Sequence, residues 1–505
     1  MFRPRTHAES RGLDDALQSH LLQGRFGRLF RHLPAAEFAA TEEETLKILK
    51  DLAERMVLNS TPNDGPIPAG YTYLGQFIDH DLTFDPVSSL QRDNDPASIV
   101  DYRTPRFDLD CVYGRGPDDD PYLFWTDGVR MRLGRRMTNR KQKLGYDVPR
   151  PEEPDPRRRH RGADDSEKAI IGDPRNDENV IIAQLHALFL QFHNRVVDEL
   201  ERKNGITPTF EEVQREVRWH YQWVVLYDFL PRIIRADIYR QVLPHVTNEK
   251  QQVLQPPLTP ERSVLDPNCE PVLKFYKPKE EAYMPVEFSG AAYRFGHSMV
   301  RDKYDLNTNK DPGIGGPLPI LSNDPKMDLQ GFRSFRDDWG IEWGLFFEGF
   351  DGLTPQRASR IDTSLAAPLG NLPFPFAADM PSLAARNLVR GWRLSLPSGQ
   401  ALAERLGEKS LSEDELKLGG GKLRLSDISD AYLKNAPLWF YILAEAASRG
   451  NGGATLGPVG SRIVMETIVG LMWGDGHSFL RQNPNWTPHE KPFGMTQFIK
   501  FAQSD

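Results

Sequence analysis

Cysteine is nearly absent from this sequence, since Cys111 and Cys269 are the only two among 505 residues. Two cysteines cannot supply the disulfide framework on which small secreted domains depend. They also lie too far apart to form the closely spaced pair that is typical of a zinc site. The fold therefore depends on its hydrophobic core, and 39% hydrophobic residues are enough to build a large one.

Long apolar runs are missing as well. No stretch approaches the roughly 18 apolar residues that a membrane-spanning helix needs. The N-terminus, MFRPRTHAESRGLDDALQSH, lacks the apolar core of a signal peptide. We expect a soluble protein that is cytoplasmic, or that is exported without a conventional signal peptide.

A continuous basic surface is also absent. The 71 acidic residues outnumber the 63 basic ones and give a formal charge of -8. The basic run RRRHR at 157–161 is flanked by PEEPDP and ADD instead of extending along the chain. Proteins that bind nucleic acids usually present an unbroken basic stripe, so we expect no nucleic-acid partner.

Alternating strand patterns are scarce, whereas helical periodicity is strong. In AQLHALFLQFHNRVVDEL, residues 183–200, apolar residues recur at three- and four-residue spacing, which predicts a long amphipathic helix. APLWFYILAEAAS at 436–448 and SRIVMETIVGLMW at 461–473 predict two further helices. Long charged or proline-rich stretches, at 132–165 and 255–284, are expected to be irregular surface segments.

These patterns predict a mainly α fold with little β structure. No composition shift marks a linker between two domains, and nothing repeats at a fixed period. We therefore predict one large helical domain from residue 46 to residue 505, preceded by an N-terminal arm at 1–45, although the length alone would permit about three domains.

A first cluster of polar residues lies in YLGQFIDHDLTFD, residues 73–85. In a helix, Gln76, Asp79 and His80 occupy positions i, i+3 and i+4 and share one face. Asp81 points about 100° away from His80. The spacing thus predicts a polar trio that faces a cavity and a carboxylate that faces elsewhere, although a histidine between aspartates also suits a purely structural role.

Oxygen ligands for a cation are found in TPRFDLDCVYG, residues 104–114. Thr104, Asp108, Asp110 and the backbone carbonyl of Arg106 provide hard oxygens, and Asp81 would add another from the neighbouring helix. Calcium prefers six to eight ligands of this type. The alternative is a solvated acidic turn.

Three further motifs each hold two polar residues three positions apart, a spacing that places both on one helical face. For the first pair below, a surface ion pair is the alternative to function; for the second, a core histidine is; the third could support the site from behind. The pairs are Arg175 and Glu178 in GDPRNDEN, Arg294 and His297 in YRFGHSMV, and Asn387 and Arg390 in NLVRGWRLSLPSGQ.

Taken in order, these motifs resemble the peroxidase-cyclooxygenase superfamily, the animal haem peroxidases, and more closely its bacterial members. The likeness runs from about residue 71 to residue 400. It implies that His80 is the base on the distal side of a haem b and that Gln76 organises water or a halide. Arg175 would stabilise the negative charge that develops as the oxygen–oxygen bond of peroxide breaks. A histidine suits the role of distal base implied for His80, because its ordinary pKa of about 6.5 lets it accept and return a proton.

On the other side of the haem, the resemblance makes His297 the axial iron ligand. Its second ring nitrogen would donate a hydrogen bond to Asn387, which fixes the tautomer. Arg294 and Arg390 would contact the haem propionates or the network around His297.

The resemblance also implies covalent and calcium chemistry. Asp79 and Glu178 match positions at which family members form ester bonds to haem methyl groups. Asn179 stands where one animal enzyme has the methionine of a third link, which should therefore be absent. The implied calcium shell consists of Asp81, Thr104, Arg106, Asp108 and Asp110.

The implied function is a haem peroxidase that reduces hydrogen peroxide to water through a ferryl intermediate. Its small electron donor would be a halide, thiocyanate or a phenolic or other aromatic compound. One alternative is a fatty-acid dioxygenase or cyclooxygenase. Cyclooxygenases need a radical-forming tyrosine three residues before the axial histidine, where Arg294 stands; Tyr293 is adjacent but is expected to face another direction.

Two alternatives lie outside peroxide chemistry. A non-haem metalloprotein would use His186 and His193, seven residues apart on one helix, with Asp79 or Asp81 as further ligands. A calcium-stabilised binding protein without catalysis is the other. The sequence does not distinguish the possible donors, and it does not indicate the oligomeric state.

Overall fold

A computed structural model of the chain describes residues 24–58, 63–85, 90–91, 93–95, 99–151, 168–244, 270–278, 282–311, 313–322, 324, 327–373, 380–418, 423–490 and 492–504. Residues 1–23 of the predicted arm, the basic run at 157–161 and Cys269 lie outside the described residues.

The predicted mainly α fold is confirmed. Helices make up most of the regular structure in the described ranges, and many are short. The α-helices are α1 (Glu42–Leu58), α2 (Gly70–Leu82), α3 (Asp110–Tyr113), α4 (Val180–Asn204), α5 (Phe210–Val224), α6 (Leu230–Ile233), α7 (Ala236–Val242), α8 (Val286–Ser289), α9 (Leu383–Arg393), α10 (Gly399–Leu406), α11 (Leu438–Arg449), α12 (Pro458–Gly474), α13 (Phe479–Gln482) and α14 (Met495–Ala502). The 3-10 helices are Pro121–Leu123, Pro174–Asp177, Ala292–Met299, Trp343–Leu345, Ala367–Gly370, Leu425–Asp427 and Asp430–Leu433, and a π-helix spans Val225–Phe229.

The strands in the described ranges are two to five residues long and form small sheets. The largest sheet has three strands in the order β3-β1-β6, in which β1 pairs antiparallel with β3 and parallel with β6. The strands are β1 (Gly24–Gly27), β2 (Asp64–Pro68), β3 (Val100–Asp101), β4 (Arg136–Thr138), β5 (Lys143–Tyr146), β6 (Met284–Pro285), β7 (Lys303–Tyr304), β8 (Leu318–Pro319), β9 (Arg357–Ser359), β10 (Lys417–Leu418) and β11 (Leu423–Arg424).

Two of these pairings bear on segments discussed above. The antiparallel pair β4 and β5 lies within 132–165, so the expectation of a wholly irregular stretch there is wrong, because the alternation is too short and too charged to be recognised in the sequence. Strand β1 belongs to the predicted N-terminal arm. Just after it, the buried carboxylate of Glu287 accepts hydrogen bonds from the N–H groups of Leu29 and Phe30, which ties this part of the arm to the helical body.

The long helix α4 confirms the prediction for 183–200 and extends it at both ends. The side chain of Asn179 caps its N-terminus by accepting hydrogen bonds from the N–H groups of Ile181 and Ile182. Gly205 ends the helix with a left-handed φ of 74°. The other two predicted helices are also confirmed, as α11 and α12. No helix in the described ranges combines the length and the apolarity that crossing a bilayer requires.

Helix α2 carries the first polar cluster and is fixed by close aromatic packing. The ring of Phe77 stacks on that of Phe189 of α4, with centroids 4.2 Å apart. A Cβ atom at Gly70 would lie 2.4 Å from the ring of Phe347, so only glycine fits at the start of this helix. These contacts determine which way the polar face of α2 points.

The second histidine motif forms the 3-10 helix Ala292–Met299, which packs against α2 and α11. Side chains three residues apart eclipse one another in a 3-10 helix, so Arg294 and His297 lie on the same side. The indole N–H of Trp439 donates a hydrogen bond of 3.1 Å to the carbonyl of Arg294, which anchors the segment to α11.

Candidate active site

A cavity of about 550 Å³ lies between α2 and the 3-10 helix Ala292–Met299. Its walls combine apolar side chains with polar groups from four separate segments. Nine of the predicted site residues line it: Gln76, Asp79, His80, Arg175, Glu178, Arg294, His297, Asn387 and Arg390. The structure thus brings the four polar motifs together at one cavity, and the fifth motif, the acidic turn, lies behind α2.

His80 is buried in the cavity wall with a defined orientation. Its Nδ1 is 2.8 Å from Oδ1 of Asn176, and its Nε2 is 4.0 Å from Oε2 of Glu178. An amide oxygen only accepts hydrogen bonds, so Nδ1 carries a proton and donates it to Asn176. In a neutral ring this leaves the lone pair on Nε2.

Arg175 is held rigidly beside His80. Its guanidinium donates to the carboxylate of Asp173 and, through Nη2, to the backbone carbonyl of His80 at 2.9 Å. Burial opposes the ionisation of Asp173, yet the charges of Arg103 and Arg175 hold the pKa of this carboxyl well below its usual range. Arg175 therefore remains a positive charge in the wall, and it also supports the backbone of α2.

The 3-10 turn Pro174–Asp177 is pinned from outside by a neighbouring segment. The N–H groups of Gly331 and Phe332 donate to the carbonyls of Glu178 and Asp177 at 2.9 and 2.8 Å. A Cβ atom at Gly331 would lie only 1.6 Å from the carbonyl oxygen of Asp177. Arg150 adds an ion pair with the Asp177 carboxylate at 2.6 Å. The side chain of Asp177 is therefore engaged with Arg150 and does not line the cavity. The residues of this segment that line the cavity are Arg175, Glu178 and Asn179.

Gln76 and Glu178 form a second polar pair in the wall. The amide nitrogen of Gln76 donates to Oε2 of Glu178 at 3.3 Å. Asn179 donates from its side chain to Oε1 of Gln76 at 3.4 Å, which directs the NH₂ group of Gln76 towards Glu178. Asp79, one turn further along α2, accepts a hydrogen bond from the hydroxyl of Thr83 at 3.2 Å.

The opposite wall holds His297, and one detail there differs from the prediction. Nδ2 of Asn387 is 2.8 Å from Nδ1 of His297, while Oδ1 of Asn387 accepts a hydrogen bond of 3.1 Å from Arg294. Asn387 therefore donates to His297, whereas the reverse direction was expected. The cause is Arg294, because a guanidinium has only donors and draws the amide oxygen towards itself.

Two further residues of this wall are placed in ways that the sequence did not indicate. Nη1 of Arg390 is 3.2 Å from a carboxylate oxygen of Asp85, so the two form an ion pair at the cavity. The expectation that Tyr293 faces another direction is wrong, because Tyr293 lines the cavity. Its hydroxyl lies close to Gly75 of α2, since a Cβ atom at that position would be 4.0 Å from it.

The acidic turn and α2 form a compact oxygen cluster behind the cavity. One carboxylate oxygen from each of Asp81, Asp108 and Asp110 lies within 4.8 Å of the others. Both oxygens of Asp81 and Oδ1 of Asp110 are buried without a hydrogen-bond partner. Burial, together with the charge of Asp108, raises the pKa of Asp81 to about 8, and burial also raises the pKa of Asp110 well above its usual range.

The other two predicted members of this cluster are placed differently. The hydroxyl of Thr104 donates to Asp108 at 2.6 Å, so it lies at the edge of the cluster. Arg106 was predicted through its backbone carbonyl; its N–H donates to the carbonyl of Thr104, and its side chain is exposed.

The structure does not combine His186 and His193 into the metal site that was considered as an alternative. Nδ1 of His186 is 3.0 Å from the amide nitrogen of Asn176, whereas the two nitrogens of His193 contact the hydroxyl of Tyr113 and the carbonyl of Val129. Among the described residues, the acidic trio is the group of histidine, cysteine and carboxylate side chains that lies close enough to hold a metal ion.

Comparison with known proteins gives a consistent result. A profile of the animal haem peroxidase family matches residues 84–491. The match begins just after the helix that carries His80, so the position of this histidine in the site rests on the structure.

Curated relatives include a peroxidase-like protein of Margaritifera margaritifera, 27% identical over 380 residues, and thyroid peroxidase of Mus musculus, 25% identical over 337 residues. These alignments cover 65% and 63% of this chain but only 44% and 31% of the relatives. The chain therefore spans less than half the length of these two proteins.

Two solved structures show the same fold. Peroxidase A from Dictyostelium discoideum aligns with a TM-score of 0.64 and 16% identity, covering 96% of this chain and 94% of that one. A fatty acid alpha-dioxygenase from Oryza sativa aligns with a TM-score of 0.59 and 14% identity, covering 93% and 81%. At such identities the likeness concerns the fold alone.

Proposed function

Because the chain belongs to the animal haem peroxidase family, we propose that it is a haem peroxidase, which reduces hydrogen peroxide to water and oxidises a small electron donor. The observation that carries this proposal is the cavity itself. It has His80 and Arg175 on one wall and His297 on the other, although these residues come from three distant segments of the chain.

The cavity suits a flat, mainly apolar group with charged edges. Its lining includes Val286, Leu321 and Leu394 besides the polar residues. A Cβ atom at Gly296, next to His297, would meet nothing within 4 Å, so a planar ligand can approach this histidine closely. A haem b bound here would supply the redox chemistry, which takes oxidising equivalents from peroxide and passes them to the donor.

His297 is the proposed axial ligand of the haem iron. A neutral imidazole binds a metal through Nε2 only when its proton is on Nδ1. The Asn387 amide would then have to present its oxygen to Nδ1 instead of its NH₂ group. Rotation of this amide meets the requirement and releases Arg294 for contact with a haem propionate. Arg390 is the second proposed propionate ligand. It would exchange its ion pair with Asp85 for an ion pair with the propionate.

On the other wall, His80 is the proposed base and acid. Its unprotonated Nε2 faces the cavity and can take a proton from hydrogen peroxide, then return it to the departing oxygen as water forms. Arg175 is the proposed electrostatic partner, since a buried fixed cation stabilises the negative charge that develops during this step. Gln76 adds a polar N–H group next to them.

Asp79 and Glu178 are proposed to form ester bonds to haem methyl groups, since both carboxylates line the cavity. Each bond joins a carboxylate oxygen to a methyl carbon, which loses one proton and two electrons. Hydrogen peroxide accepts these electrons and is reduced to water. Haem that remains on the chain after denaturation, only when peroxide has been supplied, is the expected sign of this reaction.

The proposed function is tested by loading the full chain with haem and measuring peroxide consumption with a panel of donors. We expect peroxide-dependent oxidation of at least one of iodide, thiocyanate and a simple phenol. The panel also separates halide oxidation from one-electron oxidation of phenols. Haem-loaded protein that consumes no peroxide above free haem with any of these donors would contradict the proposal.

Calcium is the proposed occupant of the acidic cluster, because its three carboxylates repel one another unless a cation lies between them. Two of them, Asp81 and Asp110, are buried with oxygens that have no hydrogen-bond partner. We expect calcium to raise the Tm of the chain, by a stabilisation of about 2.7 kcal/mol at a concentration of roughly 100 times Kd. Differential scanning calorimetry with calcium and with chelator measures this shift.

The control for the calcium prediction is the double variant Asp108→Ala and Asp110→Ala, in which the shift should vanish. Since Asp81 is adjacent to His80 on α2, loss of calcium should also lower peroxidase activity and the amount of ester-bound haem. An unchanged Tm, activity and haem retention after verified removal of the metal would mean that the acidic turn is only a polar loop.

A further inference from the structure

Behind the cavity wall, three side chains form a chain of hydrogen bonds. Nδ1 of His80 contacts Oδ1 of Asn176 at 2.8 Å, and Nδ2 of Asn176 contacts Nδ1 of His186 at 3.0 Å. His80 is 4% exposed, and Asn176 and His186 are fully buried. The chain joins three separate elements: α2, the 3-10 turn Pro174–Asp177 and α4.

The direction of this chain is determined by the central amide. A primary amide offers one acceptor oxygen and one donor NH₂ group, so its two neighbours must have opposite hydrogen-bonding roles. His186 accepts at Nδ1 and carries its own proton on Nε2. The oxygen of Asn176 is then available only to a donor, and His80 must carry its proton on Nδ1.

The surroundings of His186 keep it in the acceptor role. Burial lowers its pKa to about 3, although the charge of Asp173 acts in the opposite direction, so the ring stays neutral near neutral pH. A protonated His186 would donate at Nδ1 and would attract the amide oxygen of Asn176. The NH₂ group would then face His80 and force the proton of that ring onto Nε2, which faces the cavity.

Folding alone does not account for an imidazole at position 186. Its Nε2 is buried without a hydrogen-bond partner, and such an atom loses its contact with water without compensation. A phenyl ring of similar shape, beside Phe77, would fill the same space without this loss. The nitrogen that does have a partner is the one that orients Asn176.

We propose that Asn176 and His186 are positioning residues for His80, which they hold in the tautomer with its proton on Nδ1, so that Nε2 is unprotonated and can accept a proton from a substrate in the cavity. This inference rests on the proposed function, because an unprotonated Nε2 matters for proton transfer. Asn176 acts directly on His80, and His186 acts through Asn176.

The tautomer of His80 can be observed independently of activity. The full chain is labelled with ¹⁵N-histidine and loaded with zinc protoporphyrin, a diamagnetic substitute for haem, and the ring nitrogens are assigned by comparison with His80→Gln. We expect the Nδ1–H tautomer of His80 in the parent and a mixture of tautomers in His186→Phe and in Asn176→Ser. In the haem-loaded variants, the rate of reaction with peroxide should fall about tenfold or more.

Two further variants make the test specific. His186→Asn retains an acceptor oxygen near the former Nδ1 and should restore both the tautomer and the rate. His193→Phe removes another fully buried imidazole from the same helix, which contacts Tyr113 and Val129 instead, and should leave the tautomer of His80 unchanged.

A parent in which His80 carries its proton on Nε2 would overturn the inference. The same conclusion would follow if both His186→Phe and Asn176→Ser kept the parental tautomer and rate. If the haem-loaded parent does not react with peroxide at all, the proposed function fails, whereas the nitrogen shifts still decide whether Asn176 and His186 set the tautomer.

Discussion

His80→Ala is expected to slow the reaction of the haem-loaded protein with hydrogen peroxide by about 10²- to 10⁴-fold, while haem remains bound. The side chain that faces the cavity through Nε2 would be lost, and with it the group that takes up and returns the proton. Arg175 would remain in place through Asp173 and its charge would persist, so the remaining rate reports electrostatic stabilisation alone. Stopped-flow spectroscopy at several peroxide concentrations measures this rate.

The matched variant for this prediction is His80→Gln, which keeps a polar side chain of similar size but has no group that titrates near neutral pH. Both variants should retain the haem absorbance and the Tm of the parent within a few degrees. A peroxide reaction within a few-fold of the parental rate in either variant would show that another group carries the proton, and the assignment of His80 would fail.

His297→Ala is expected to abolish the axial ligation of iron and to remove most of the haem absorbance at the Soret band. No other histidine lines the wall of the cavity on which His297 lies, within the described residues. Arg294 and Asn387 cannot replace it, because a guanidinium and an amide nitrogen have no lone pair suited to iron. Titration of the purified apoprotein with haem, followed by absorption spectroscopy, measures the loss.

Imidazole separates a missing ligand from a damaged fold. Since Gly296 leaves open space beside position 297, free imidazole should enter the gap in His297→Ala and restore much of the parental spectrum. His477→Ala, which removes an exposed histidine, is the control and should bind haem like the parent. A parental spectrum in His297→Ala without added imidazole would require another iron ligand.

Much of the fold and of the cavity could be predicted because it depends on local spacing. The helical repeat along α4 and the three- and four-residue intervals around His80 are properties of a single segment, and the folded chain preserves them. The mainly α architecture follows from the same periodicity. The motifs were predicted to act together only through their resemblance to a family, since spacing within one segment says nothing about the distance between segments.

The contacts within the site that escaped prediction depend on how separate segments meet. The chain from His80 through Asn176 to His186 depends on how α2, the 3-10 turn and α4 meet, which no local pattern encodes. The direction of the hydrogen bond between Asn387 and His297 depends on competition from Arg294.

The contact of Gly331 with the turn beneath it means that the site can be damaged from a position that carries no functional group. Any side chain at residue 331 would collide with the carbonyl of Asp177. A shift of the turn away from this collision would disturb the contacts that Arg175 and Asn176 make with His80. A mutational survey restricted to residues with reactive or charged side chains would omit this glycine. A survey that includes residues in contact with the backbone of the site would include Gly331 together with the histidines.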